Sequence, residues 1–426
     1  MSAEKAMNMR KKVYALQSKL SNAAKESLDR KFGALYDKVY REDVLMESWR
    51  LVRANKGAPG IDEQDFETIE RDIGVDRFLA ELGADLRAKR YRPMPVLRCW
   101  IDKPGKAEKR PLGIPAIRDR VAQMAAKLIL EPIFETNFLP CSHGFRPGLS
   151  CHTAIDQIRC AITFDRLTTV IDADIAGYFS SIRHDILLRL VSRRISDKHM
   201  IRLVRAWLKA GVMENGVYEE SGEVGSPQGA VISPLLSNIY LHSFDKMFQQ
   251  SGIRGKLIRY ADDWVVLVKG DGRRVLTLLT KMLDRLQLRI HPEKTHITDA
   301  YRGFDFLSVH FRMRPVRKKG SRLKECCRLW PSDKALMHVK QKIRDTIGTR
   351  YSLKLEEVIH ELNPVIRGWN NYQTRIQAER KRFLRLNQYG RGCIRIFLKR
   401  KYNDRTRGLR RVAGGLPAKL GLAQFG

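Results

Sequence analysis

The sequence is short of acids: 47 Asp and Glu stand against 80 Lys and Arg in 426 residues, a formal net charge of +33. A self-compensated surface is thereby excluded and a polyanionic partner expected. Paired cysteines are lacking too. The seven cysteines, at 99, 141, 151, 160, 326, 327 and 393, are odd in number and form no C-x-x-C, which argues against a disulfide framework or zinc ribbon and for free thiols. No run approaches the roughly 18 apolar residues of a membrane span, and residues 1–19 carry lysines without an apolar signal core. A soluble, cytoplasmic protein with no membrane partner is expected. Internal repeats and low-complexity segments are missing as well. With 43% hydrophobic and 8% aromatic residues, the length suits two or three packed modules rather than a disordered basic chain.

What is present is unevenly placed. Arg375 to Gly426 hold 15 Lys and Arg but only Glu379 and Asp404 as acids, so +13 of the +33 lies in the last 52 residues. Apolar residues are interleaved there, as in Cys393-Ile394-Arg395-Ile396-Phe397-Leu398, which reads as basic amphipathic helix. Residues 1–50 read as helical through Leu16, Leu20, Leu28, Phe32, Leu35 and Val39. Asn55-Lys56-Gly57-Ala58-Pro59-Gly60 interrupts them as a turn. Lys103-Pro104-Gly105-Lys106 suggests a second turn between two short extended segments, followed by helix from Asp119 to Phe134. Beyond about residue 330 the pattern is helical to 400, with a break expected at Asn363-Pro364.

Two segments place aspartates at strand ends. The β-branched run Thr168-Thr169-Val170-Ile171-Asp172-Ala173-Asp174 ends in acids and passes into Ile175-Ala176-Gly177-Tyr178-Phe179. The stretch from Lys256 to Val268 reads as a hairpin with Asp262 and Asp263 adjacent at its tip. Like charges held over an apolar core repel one another. A divalent cation would neutralise them, and oxygen-only ligands favour Mg²⁺.

Tyr260-Ala261-Asp262-Asp263 resembles the Y-x-D-D box of reverse transcriptases, and Asp174 to Phe179 resembles their first palm motif. Between them, Gly225-Ser226-Pro227-Gln228-Gly229-Ala230 through Asn238 resembles the loop and helix that contact template and nucleotide. Further motifs narrow the likeness to bacterial group II intron reverse transcriptase/maturases. These are Asn55 to Asp62, Leu112-Gly113-Ile114-Pro115, His143-Gly144-Phe145-Arg146-Pro147-Gly148 and, in the thumb, Leu362-Asn363-Pro364 through Tyr372. Many family members end in an H-N-H endonuclease with paired cysteines, a module not found in this sequence. Two departures stand out: Ala230 where a second glycine is usual, and Ser308 where Phe-Leu-Gly is typical.

The resemblance implies two Mg²⁺ held by Asp174 and Asp262 with Asp263 assisting, and a backbone carbonyl from Ile175. Asp172 is expected to support from behind. Lys103 and Arg110 would meet the triphosphate of the incoming nucleotide, with Lys106 and Lys109 in the same turn. Phe179 would sit under the sugar as a steric gate against a 2′-hydroxyl, and Gln228 would face the nucleotide or template base. Lys294 matches a lysine that could protonate leaving pyrophosphate. In the thumb, Arg367, Trp369, Asn371 and Tyr372 suit RNA or template–primer contact, with Trp369 equally suited to anchoring helix packing.

The fold expected is therefore α+β: a right-hand polymerase with an N-terminal helical extension (1–40), fingers and palm (41–330), an α-helical thumb/maturase domain (331–400) and a basic tail (401–426) that could bind DNA. The expected function is RNA-directed DNA synthesis joined to maturase activity. Its partners would be the group II intron RNA, template RNA with a DNA primer, target DNA and deoxynucleoside triphosphates. The alternative is a domesticated relative that makes cDNA in defence or repair without an intron.

Overall fold

The computed structural model describes residues 3–102, 109–226, 228–316, 324–373, 376, 380–403 and 415–426. Helices and strands are mixed, so the α+β expectation holds. The chain forms two compact units that are not consecutive in sequence. One comprises Met1–Ser150, Ile171–Val266 and Asp271–His296; the other comprises Cys151–Val170, Leu267–Gly270 and Ile297–Gly426. No described helix is long and apolar enough to cross a membrane.

In chain order the strands are β1 (Val96–Asp102), β2 (Lys109–Ile114), β3 (Thr169–Ala173), β4 (Val212–Glu214), β5 (Val217–Glu219), β6 (Gly255–Tyr260) and β7 (Asp263–Val268). They continue with β8 (His296–Asp299), β9 (Phe304–Phe306), β10 (Val309–Val316) and β11 (Lys324–Pro331).

The first unit begins with helix Ala3–Glu26, which buries Met9, Val13, Leu16, Leu20 and Ala24 at three- and four-residue intervals, one apolar stripe. The helical reading of 1–50 fails between 27 and 35: the helix has ended, and Leu28 is 54% exposed instead of continuing the stripe. Helix resumes in the short turn Tyr36–Val39 and then at Glu42–Ala54, and the two long helices pack on Ile117–Glu135. That central helix is buried nearly all round, which is why it shows little amphipathic patterning. The expected extended pair is β1 and β2, antiparallel from Leu97↔Ile114 to Asp102↔Lys109, inside a sheet of order β2-β1-β4-β5. β6, β7 and β3 lie side by side, and from Trp264 onward β7 is wholly buried. The rings of Phe244, on helix Ser233–Gln250, and Trp264 meet at 5.3 Å.

The second unit joins the sheet β11-β10-β9 to helix Cys151–Thr163 and to helices Asp333–Ile347, Leu355–Gln373 and Arg380–Lys401. Its core includes Ile343, Val358, Leu362, Ile366, Leu386 and Phe397. The break expected at Asn363-Pro364 does not occur, because Pro364 lies inside a continuous helix. Leu362 and Ile366 on either side are both buried, so tertiary packing outweighs the lost backbone hydrogen bond. The chain turns instead at Gly348, with φ +55°.

Segment 415–426 is no loose end. Leu416, Leu420, Leu422 and Phe425 pack on the helical core, and three asparagines clamp its backbone. Asn363 donates to the Gly421 carbonyl (2.9 Å) and accepts from Ala423 N–H (2.8 Å). Asn370 donates to Gln424 (2.7 Å), and Asn387 both donates to and accepts from Phe425 (3.0 and 2.9 Å).

Candidate active site

A cleft of about 950 Å³ in the first unit is lined by Asp174, Ile175, Phe179, Gln228, Asp262, Asp263, Arg110 and Lys294. Most of the catalytic and nucleotide-contacting residues expected from sequence therefore converge. Lys103 lies outside the described residues.

Each side chain is delivered by local structure. Asp174 follows β3, and its carbonyl accepts from His291 N–H at 2.8 Å, while Ile175 forms an isolated bridge with Ile290. Asp172, one pleat earlier, does not line the cleft. Gly177, at φ +51°, turns the chain into the short helix Tyr178–Ser181. Tyr178 goes inward and donates to the Ser237 carbonyl (2.9 Å), which leaves Phe179 half-buried at the cleft with its ring edge-on to Tyr178. The Phe179 carbonyl accepts from Ser226 N–H (2.8 Å), so the first palm motif and the loop carrying Gln228 are tied together.

That loop also closes on the finger strands: Gly113 N–H donates to the Gln228 carbonyl at 2.6 Å. A side chain at Gly229, φ +105°, would stand 2.8 Å from the Gly113 carbonyl, so only glycine fits. The next position is different. Ala230 is buried and is not among the positive-φ residues, so a methyl group is accommodated where a second glycine is usual. The Gln228 side-chain oxygen is buried with no protein partner, a polar atom free for a ligand.

The carboxylates are under electrostatic stress. Desolvation, then the charge of Asp174, raises Asp262 above the ordinary carboxylate range, and Arg110 opposes the rise. Desolvation with repulsion from Asp262 and Asp174 pushes Asp263 up to about 6, against the pull of Arg110 and Lys294. Asp263 keeps an exposed face, so water screens part of that stress. Lys294, on the turn Pro292–Lys294, meets Asp174 Oδ2 in a close ion pair. Among the described residues no three His, Cys, Asp or Glu side chains form a ready cation cage. The arrangement is an open, oxygen-only donor set with surplus negative charge, whose remaining ligands would come from substrate and water.

The four thumb residues of the second unit are placed differently from one another. Trp369 meets Phe383 and Phe425 edge-on (5.7 and 5.2 Å), which is the packing role. Tyr372 donates its hydroxyl to the Leu307 carbonyl (2.6 Å), and its ring meets His152. Arg367 and Asn371 lie on an exposed face. Sequence reading missed Arg259, buried directly below the aspartate turn; a cation set between Leu257-Ile258 and Tyr260-Ala261 was the available signal. His184 is a core residue that meets the Gly225 carbonyl at 2.6 Å.

Comparison with known proteins agrees with this geometry. Residues 101–311 match the model of "Reverse transcriptase (RNA-dependent DNA polymerase)", and residues 336–413 match "Group II intron, maturase-specific domain". Protein YkfC of Escherichia coli K12 is 33% identical over 332 residues, covering 68% of this chain and 86% of that protein. The group II intron-encoded protein LtrA of Lactococcus lactis subsp. cremoris is 29% identical over 407 residues, 79% of this chain and 66% of LtrA. An uncharacterized 91 kDa protein in the cob intron of Schizosaccharomyces pombe is 29% identical over 62% of this chain and 39% of its own length. With palm motifs, cleft and maturase segment in one polypeptide, the chain belongs to the group II intron-encoded reverse transcriptase/maturase family, enzymes of RNA-directed DNA synthesis.

Proposed function

We propose that the cleft copies RNA into DNA with two Mg²⁺ ions, Asp174 and Asp262 being the principal ligands with Asp263 and the Ile175 carbonyl assisting. The observation that carries this reading is the convergence of three carboxylates, a cation on the finger strands and an aromatic ring on one cleft. When bound, the ions supply charge stabilisation for both the attacking and the leaving oxygen of an in-line displacement. Arg110 orients the triphosphate of a deoxynucleotide. Phe179 closes the space a 2′-hydroxyl would need, and the unpartnered Gln228 oxygen faces the nucleotide or template base. Lys294 leaves Asp174 as substrate enters and is then placed to give a proton to pyrophosphate.

In this reading the first unit supplies fingers and palm, and the helical second unit supplies the thumb that grips intron RNA and the template–primer duplex. Arg367 and Asn371 lie on its outer face, and the lysines and arginines beyond 375 add electrostatic grip on intron RNA and target DNA. Binding of the chain's own intron RNA assists its splicing, and copying of the RNA serves mobility. The test is extension of a DNA primer on an RNA template with deoxynucleotides and Mg²⁺. Asp262→Ala is expected to reduce extension to background while template–primer affinity stays; extension surviving the substitution overturns the reading.

A further inference from the structure

Arg259 points inward from β6 and is wholly buried, a position arginine rarely takes unless every donor is matched. Here every donor is. Nε and Nη2 reach the two carboxylate oxygens of Asp245 (2.9 and 2.6 Å), a bidentate pair. Nη2 also donates to Ser142 Oγ (2.8 Å), and Nη1 donates to Asn238 Oδ1 (3.0 Å) and to the Ala261 carbonyl (2.8 Å).

The last of these bonds reaches the active site. Ala261 immediately precedes Asp262 and has φ +57°, a left-handed conformation that costs a non-glycine residue free energy. Something must hold it there. From the far side Gly144 abuts the same residue so closely that a side chain on it would lie 2.2 Å from Ala261 N. The Gly144 carbonyl is fixed by Asn238 Nδ2 (2.8 Å), and the flanking backbone is bridged by Arg259 N–H to the Cys141 carbonyl (2.7 Å) and His143 N–H to the Arg259 carbonyl (2.8 Å). Residues far apart in sequence therefore meet on one guanidinium.

We propose that Arg259 is a positioning residue for polymerisation: anchored on Asp245, it clamps the Ala261 carbonyl and so fixes the turn that aims the Asp262 and Asp263 carboxylates. This rests on the reading of those carboxylates as the metal-binding pair. Asp245, Asn238 and Ser142 are the frame that stops the guanidinium from following the turn if it moves. Lysine cannot replace it, because a single ammonium cannot span Asp245, Asn238 and Ala261 with fork geometry.

The test compares Arg259→Lys with the double variant Arg259→Met/Asp245→Leu, which removes the buried charges together and so avoids leaving either unpaired. The expected result for both is a folded chain with wild-type template–primer affinity, kcat lowered about 100-fold and unchanged KM for deoxynucleotide, the scale of a misaimed catalytic group. Binding of Mn²⁺, read by electron paramagnetic resonance without substrate, should weaken about tenfold on the same argument. A purely structural role predicts instead that the double variant, once folded, or the charge-preserving lysine retains wild-type kcat and Mn²⁺ affinity, and that result overturns the proposal. If both variants fail to fold, Ser142→Ala/Asn238→Leu removes two of the three frame residues together with the Asn238 bond to Gly144 while leaving the Arg259–Asp245 pair, and an unchanged kcat there overturns it equally. Asp262→Ala, measured in parallel, separates the two claims. Extension surviving in that variant defeats the metal-site reading, whereas its loss alongside a fully active double variant defeats only the role of Arg259.

Discussion

Each unit contains a tight turn with a left-handed non-glycine residue whose carbonyl is clamped by a side chain, but by different chemistry. In the first unit Ala261 is held by the buried guanidinium of Arg259; in the second Leu307, at φ +47°, is held by the neutral phenol of Tyr372. The contrast extends to the cores. Among the described residues, every buried Asp, Glu or Arg lies in the first unit, including Asp119, Arg120, Asp197, Asp245 and Arg259, whereas the buried polar residues of the second are Ser332 and Gln373. Charge is buried in the unit that carries the carboxylate cleft. The helical unit keeps its charge outside, where phosphates can reach it, and coheres through apolar packing and asparagine clamps. Phe425→Ala should expose that difference most strongly. Phe425 is 5% exposed and meets Trp369, so truncation should cost about 3–5 kcal/mol in urea unfolding. Loss of hydrogen-exchange protection should centre on Leu355–Gln373 and Arg380–Lys401. A loss below about 1 kcal/mol would mean that segment 415–426 is not part of the helical core, since that is the range of an ordinary surface substitution.

The buried acids of the first unit should make its stability depend on pH in a way the second unit does not share. Asp119 accepts from Tyr91 Oη (2.6 Å) and Met94 N–H (2.9 Å), yet desolvation outweighs those bonds and pushes it up to about 6. The protonated form is thus the one the fold prefers. Its contribution is fully present below the ordinary carboxylate pKa and is lost as pH rises through about 6, on the order of 2–3 kcal/mol. Asp119→Asn, fixed in the neutral state, should flatten this dependence between pH 4.5 and 7.5. Hydrogen exchange of the intact chain, corrected for intrinsic rates, should locate the change in the first unit. An equal slope in Asp119→Asn would assign the pH dependence to other groups.

How much of this was legible in sequence follows the same division. The aspartate hairpin and the β1–β2 pair could be read directly, because short extended runs on either side of a polar tip leave few alternatives. The residues that converge on the cleft stand in short local motifs. What escaped were long-range decisions. Leu28 continues the apolar spacing but lies beyond the end of its helix. Pro364 carries the signature of a helix break, yet two buried neighbours hold the helix together. Asn363, Asn370 and Asn387 resemble ordinary surface amides until segment 415–426 lies across them. The placement of Arg259 depends on Asp245, fourteen residues away on another element, and on Ser142, 117 residues away. Composition and spacing cannot supply such pairings, because they are set by which surfaces meet in the folded chain.

The smallest predicted effect concerns the second unit's turn, where strain is stored locally rather than in charge. Leu307 and Ser308 link β9 to β10 with Phe306 opposite Val309, and both have positive φ, +47° and +63°, as a type I′ hairpin loop requires. The second position of such a loop favours glycine, so Ser308 bears a backbone cost that a glycine there would avoid. Its side chain is exposed and its carbonyl accepts from Ser332 N–H at 3.0 Å, a bond that glycine retains. Ser308→Gly should therefore stabilise the unit by about 1 kcal/mol, the left-handed penalty relieved less some added freedom in the unfolded chain. Urea unfolding should show a higher midpoint with unchanged slope. In Tyr372→Phe the clamp on Leu307 is gone, and the same glycine should gain more, because an unclamped turn depends more heavily on its own backbone preference. Equal gains in the two backgrounds would show that the phenol does not hold the turn, and the parallel with Arg259 would then fail on the neutral side.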